Sequence, residues 1–456
     1  MSLFVFILGT TMTEAWGQSA SQVGSVVKLD KDGALIVNGK RILVYGTYRD
    51  PSDNRLSFDG VREAGFNLTH TYYFESLTPN ARPYDQQAVI RTYIAEATKY
   101  LDAAHAAGVG VFLGLPREVV RTYDKEAVRQ IVSALCDKPA LWLWYMMDEP
   151  TGRDHRQQSL VEAMNGLRKI IEEIDPNHPV CLVEAKKYAP YRHSAHLMWV
   201  DYYTVPKQIR RVYEAIEKAK AELPGVPVWA VLQGHDLRIH KYSETLQKRS
   251  DVGSKLYIDD RFHRPGPKEL KAQVHTAFAA DSMGVVFYWM PQVNHDMKKR
   301  TPRLWQGYVE LGSHIRELEP VLLSSKPRNG AKVKVEAFKA SPDHMRAERA
   351  GDDPTRDILT WQRVHEGKLY VGVVNAGYYP YMHVTLELPF DCETVSAVPG
   401  DRKVVDYSGS ESQINFANAD VLVWKAENPR RFEFMLDEAD VAVWCFTPKD
   451  SSQWSQ

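Results

Sequence analysis

LWLWYMMDEP, Leu141 to Pro150, is a run of aromatic and aliphatic side chains that ends abruptly in two acids and a proline. An unbroken apolar run of this length suits a strand buried on both faces, as in a parallel sheet. Proline cannot donate to a sheet ladder and biases the residue before it towards an extended conformation, so the strand stops there. Asp148 and Glu149 therefore fall at the carboxyl end of a buried strand, the end at which parallel α/β folds build their sites.

Outward from this stretch the same unit recurs. Strand-like runs stand at RILVYGTY (Arg41–Tyr48), GFNLTHTYY (Gly65–Tyr73), GVGVFLGLP (Gly108–Pro116), PVCLVEA (Pro179–Ala185), HLMWVDYYTVP (His196–Pro206), PVWAVLQG (Pro227–Gly234) and GVVFYWMP (Gly284–Pro291). Helical periodicity fills the gaps around Phe58–Ala64, Asp85–Ala107, Lys125–Cys136, Gln157–Ile174, Gln208–Glu222 and Pro267–Asp281, with a closing helix at Leu304–Leu318. Eight strands alternating with helices predict a (β/α)₈ barrel. A doubly wound sheet is the alternative, but no strand runs into a GxGxxG loop. Glycines in AAGV, PGVPV and DSMGV suit left-handed helix caps just before the next strand. From Gly24 to Leu43, Asp32-Gly33 and Asn38-Gly39 mark tight turns of a small β-hairpin ahead of the barrel. After Ser324 only strand-like runs remain, which predicts an antiparallel β-sandwich. The expected organisation is a leader over residues 1–22, the barrel with its hairpin over 23–324, and the sandwich over 325–450.

The chain has 456 residues, 44% hydrophobic and 25% charged, with a net charge of -1. That balance offers no field for nucleic acid or an anionic membrane. With 11 Trp and 23 Tyr, sugar rings are the better ligand class. The four cysteines form no CxxC pair and no zinc spacing, so free thiols and no metal or cofactor are expected. Leu3 to Leu8 is apolar but too short to span a bilayer. It reads as the core of a secretion signal without a basic n-region, which predicts a secreted or periplasmic protein.

The predicted strand ends gather Arg49, His70, Tyr72, Asp148, Glu149, Glu184, Asp201, Tyr203, Gln233, His235, Asp236 and Trp289 at one rim. Carboxylates beside ring-stacking aromatics suit cleavage of glycosidic bonds: one carboxyl protonates the leaving oxygen, the other attacks the sugar or activates water. Glu149 follows a strongly apolar strand, so desolvation makes it the expected acid. Asp201 and Asp236 are the other catalytic candidates. Arg49, His70, Tyr72, Asp148, Glu184, Tyr203, Gln233, His235 and Trp289 are expected to hold substrate. Arg49, Arg117, Arg153, Lys186, Lys187, Lys207 and Arg238 also follow strand ends, a charge that would favour an anionic glycan. Two other classes compete: a non-catalytic carbohydrate-binding protein, and a lyase acting on acidic polysaccharide.

Several motifs, in order, carry a family likeness. GALIVNGKRILVYGTY, DEP at the fourth strand, VDYYTVP at the sixth, and GPKELKAQVHTAFAADSMGVVFYWM at the eighth resemble the barrel of glycoside hydrolase clan A, whose members carry a C-terminal β-sandwich. The resemblance covers about Leu35 to Leu318. It implies a hydrolase with Glu149 as acid/base and Trp289 under the substrate. Two departures stand out. Asp148 replaces the clan's Asn, and Gln233 ends the seventh strand where the clan carries its nucleophilic Glu. An amide cannot form a glycosyl ester. Another carboxylate then serves, among Asp236, Asp201 and Glu184, or the enzyme inverts, or the protein is inactive.

Overall fold

A computed structural model describes residues 24–49, 56–77, 86–153, 157–205, 208–235, 264–288, 298, 302–337, 353–380, 382–399, 402–406, 421–424, 428–450 and 452. Residues 1–23, and with them the expected leader, lie outside this set, as do Asp236, Trp289 and the cationic loop from Arg238.

Three short antiparallel strands come first, β1 (Val27–Leu29), β2 (Leu35–Val37) and β3 (Lys40–Ile42). Gly33 and Gly39 turn between them at φ +84° and +83°, a conformation that favours glycine. The barrel follows: β4 (Val44–Arg49), β5 (Leu68–Thr71), β6 (Gly110–Gly114), β7 (Leu141–Asp148), β8 (Val180–Glu184), β9 (Leu197–Asp201), β10 (Val228–Gln233) and β11 (Gly284–Tyr288). All pair in parallel, and β11 closes onto β4. The eight predicted strands are these eight. Two short helices, Arg117–Arg121 and Pro150–Arg153, were not predicted; each is a single turn with too few residues for a periodic signal.

Successive strand residues face alternately into the barrel and out towards the helices. Val44, Leu68, Phe112, Leu143, Cys181, Trp199, Trp229 and Val286 fill the interior, with Val27, Leu35, Val37 and Ile42 of the small sheet packed against them. Trp229 Nε1 donates to the Gly33 carbonyl at 2.8 Å. The small sheet thus plugs the amino end of the barrel, and the other end carries the polar residues. Gly108 and Gly225 take the left-handed caps expected of them, at φ +69° and +84°. In DSMGV the left-handed residue is Asp281, at φ 53°, not Gly284. Gly284 lies under the Trp229 ring, where a Cβ has no room.

The C-terminal strands form two sheets. One has five strands, β12 (Lys332–Ala337), β15 (Met382–Glu387), β19 (Arg431–Leu436), β18 (Val421–Trp424) and β17 (Lys403–Asp406). The other has four, β13 (Ile358–His365), β14 (Lys368–Asn375), β20 (Val441–Pro448) and β16 (Cys392–Ala397). Pairing is antiparallel except between β17 and β18, which run parallel. Trp361 of β13 docks this unit on the barrel. Its indole Nε1 donates to His275 Nδ1 at 3.1 Å, and His275 Nε2 lies 2.9 Å from His314 Nε2. His275 and His314 sit on the helices Pro267–Ala279 and Pro302–Leu322. Tyr378 adds a bond from its hydroxyl to Glu269 Oε1 at 2.6 Å. All four cysteines are free, three of them buried.

Candidate active site

Alternation along each strand decides which rim residues face the barrel mouth. On β5, His70 points inward with Leu68, stacked on Phe112 at 4.6 Å. Tyr72 continues that row and stacks on Tyr48 at 5.4 Å. On β9, Asp201 shares the inward row of Leu197 and Trp199. Arg49 and Glu184 fall on the opposite parity. Arg49 donates to the Ser57 carbonyl at 2.6 Å and lies over the Phe58 ring, which belongs to the outer, helix-facing core. Glu184 is buried and receives three backbone N–H groups: Thr151 at 3.1 Å, Ala185 at 2.8 Å and Lys186 at 3.0 Å. It ties the β7 and β8 loops together.

The strand β7 breaks the simple count. Leu143 and Tyr145 face in and Trp144 out, so uninterrupted alternation would turn Met147 inward and Asp148 outward. The ladder to β8 slips between Tyr145 and Asp148, and both Met146 and Met147 pack in the outer core. A bulge of this kind re-aims the residues that follow it. Asp148 therefore turns into the mouth, where its Oδ1 accepts from the Tyr145 hydroxyl at 3.0 Å. Glu149 follows in left-handed backbone, φ 42°, partly exposed, its N–H bonded to the Val183 carbonyl at 3.0 Å. Such backbone is uncommon for a residue with a side chain and tends to persist at functional positions.

Tyrosines line the rest of the mouth. Tyr203 stacks on Tyr288 at 5.5 Å, Tyr288 meets Tyr48 edge-on at 5.7 Å, and His235 stands edge-on to both Tyr203 and Tyr288. Tyr203 donates to Asp201 Oδ2 at 2.8 Å. Burial, and next the charge of Asp148, push the phenols of Tyr48, Tyr72 and Tyr145 well above their usual value; for Tyr203 burial is followed by Asp201. These hydroxyls stay protonated, and those of Tyr48, Tyr145 and Tyr203 donate, to the Tyr145 hydroxyl, Asp148 and Asp201 respectively.

The amide of Gln233, at the position expected to face a sugar, binds backbone instead. Oε1 accepts from Val205 N–H at 2.9 Å, and Nε2 donates to the carbonyls of Val205 and His235 at 3.4 and 3.3 Å. Gln273 clamps the Gln233 backbone in turn, at 3.0 and 3.1 Å. Gln233 holds the loops after β9 and β10 in place.

Glu75 was not foreseen. It lies in the loop after β5, buried, with Oε1 2.9 Å from His70 Nε2 and Oε2 accepting from Arg117 Nε at 3.2 Å. Nothing in the local sequence marks it, because its bond to His70, five residues back, depends on the fold of the loop, and its other partner, Arg117, comes from the stretch after β6. Tyr145 and Tyr288 were also missed, although counting inward positions from the strand ends would have found both. Among the described residues, no three His, Cys, Asp or Glu side chains are grouped to hold a metal ion, and no helix is long and apolar enough to cross a membrane.

The architecture defines a (β/α)₈ barrel with a polar, tyrosine-lined mouth and a C-terminal β-sandwich. No family model matches the chain, and no curated protein does. Among solved structures it is similar to the β-D-glucuronidase of Dictyoglomus thermophilum, at 12% identity and TM-score 0.40, over 63% of this chain and 53% of that one. It is also similar to the β-galactosidase of the psychrophilic Marinomonas ef1, at 9% and 0.42, over 60% and 59%. A third is the GH2 β-galacturonidase of Eisenbergiella tayi bound to galacturonate, at 11% and 0.41, over 63% and 54%. The chain matches little more than half the length of each. At these scores the likeness carries no argument about chemistry, and the barrel rests on its own strand pairing.

Proposed function

We propose that the chain is a glycoside hydrolase acting on O-glycosidic bonds of a poly- or oligosaccharide, with Glu149 as general acid. The observation that carries this reading is the bulge on β7. It turns Asp148 into a mouth walled by stacked tyrosines and leaves Glu149 at its edge in left-handed backbone. Asp201, inward on β9, is the favoured base; Asp236, outside the described residues, is the second candidate. With an amide at Gln233 and no ester possible there, water is the attacking group and the anomeric configuration inverts. An anionic glycan and a secreted or periplasmic location complete the proposal, the latter resting on the apolar run Leu3–Leu8.

For the lyase reading, a tyrosine base loses support, because burial holds the Tyr72 and Tyr145 phenols in their protonated form. The non-catalytic, carbohydrate-binding reading draws on Gln233, whose amide is engaged with backbone. A screen of polysaccharides and aryl glycosides with wild type and Glu149→Gln tests the proposal. Loss of a positioned acid lowers turnover about 10²-fold or more. Wild-type rates in the variant would end the assignment of Glu149. Sugar binding without turnover would leave the binding protein. Proton NMR of the first-formed product reads the anomer, and retention would exclude the inverting mechanism.

A further inference from the structure

The mouth is electrically divided. Its inward carboxylates, Asp148 and Asp201, stand on β7 and β9. The neighbouring arc on β5 and β6 carries His70, Glu75 and Arg117. The charge of that arc follows from counting protons. The Phe112 carbonyl only accepts, so His70 Nδ1, 2.8 Å away, carries a hydrogen. The 2.9 Å bond between His70 Nε2 and Glu75 Oε1 holds one more. Whichever atom owns that proton, ring and carboxyl together are neutral. Arg117 then leaves the arc at +1.

Arg117 is also the member of the arc that reaches solvent. Its side chain is 29% exposed, against 1% for both His70 and Glu75. Glu75 uses only Nε, and the guanidinium lies 5.8 Å over the Tyr72 ring. Both terminal nitrogens are without a hydrogen-bond partner among the described residues, and so is the Tyr72 hydroxyl. Two parallel N–H groups on a fixed plane match the two oxygens of a carboxylate. We propose that Arg117, oriented by the His70–Glu75 pair and assisted by the Tyr72 hydroxyl, binds the carboxylate of a uronic acid residue in the substrate. The inference rests on the glycoside hydrolase reading for the placement of the sugar in the mouth. Glu75 and His70 are positioning residues; Arg117 and Tyr72 touch the sugar.

The test uses the full chain and paired aryl glycosides, the α- and β-linked p-nitrophenyl glycosides of glucuronate and galacturonate against those of glucose and galactose. Wild type should favour the uronides. In Arg117→Gln the uronide-to-neutral ratio of kcat/KM should fall about 10- to 100-fold, the scale of a charge-assisted hydrogen bond, with the loss in KM. Tyr72→Phe keeps the ring packing and should lower the ratio about 3- to 10-fold, as one neutral hydrogen bond would. No uronide preference in wild type overturns the inference, as does a ratio unchanged in both variants or a preference for the 6-sulfated sugar. If no glycoside is turned over, the same pairs are titrated by calorimetry. Uronide-selective binding lost in Arg117→Gln upholds the carboxylate site while the hydrolase reading falls. Equal binding, or none, overturns the site.

Discussion

The buried histidine pair between barrel and sandwich makes stability depend on pH in a calculable way. An indole N–H only donates, so His275 Nδ1 accepts from Trp361 and its proton sits on Nε2, directed at His314 Nε2. Both rings are neutral in this arrangement, and a proton added to His314 Nε2 would set one N–H against another. Burial, helped by the charge of Lys271, holds His314 down at about 3; burial and then His314 hold His275 well below the usual histidine value. The unfolded chain takes up a proton at each site below about pH 6.5, and the folded chain does not. The stabilisation is full above that pH and is lost as pH falls from about 6.5 towards about 3. Between pH 7.5 and 5.0, His314 alone accounts for about 2 kcal/mol of lost stability. His314→Gln removes this titration and keeps an acceptor for His275. Urea unfolding followed by tryptophan fluorescence, at both pH values, measures the difference. Wild type should lose about 2 kcal/mol more than the variant over that interval. An identical pH dependence in the two proteins would refute the assignment of a neutral, buried His314.

Three further outcomes follow from packing and hydrogen bonding. Gly114→Ala places a Cβ 2.6 Å from Glu75 Cγ and 3.1 Å from His70 Cε1, which should cost about 1–3 kcal/mol in unfolding experiments; an unchanged urea midpoint would mean the Glu75 loop yields freely. Glu184→Gln offers one acceptor oxygen where three backbone N–H groups now converge, so a loss of about 1–3 kcal/mol is expected, and a wild-type midpoint would remove Glu184 as the tie between the β7 and β8 loops. The isolated barrel, Val27 to Ser324, exposes the surface under Trp361 and should be poorly soluble or unstable; a soluble, stable and fully active barrel would refute the packing role of the sandwich.

The order and direction of the barrel strands could be read from the chain because a parallel strand buried on both faces must be apolar along its length, as Leu141–Met147 is, and because its partners repeat the pattern at helix-length intervals. The sandwich was recognisable for the related reason that alternation survives in runs such as β14. The signal is weaker at β16, where CETVSA buries little. The rim was less transparent. Period-two counting assigns Arg49 and Glu184 to the outside and His70, Tyr72 and Asp201 to the inside, and that count was available in the sequence. For Asp148 the same count gives the wrong face, because the bulge after Tyr145 exists only in the pairing of β7 with β8. Glu75 meets Arg117, and Gln233 meets Val205, through contacts between residues far apart in the chain, and the bond from Glu75 back to His70, five residues earlier, depends on how the loop after β5 folds. A strand's burial is a property of its own residues. The direction of a side chain at its end, and the partner it finds there, depend on register and on loops that only the closed barrel brings together.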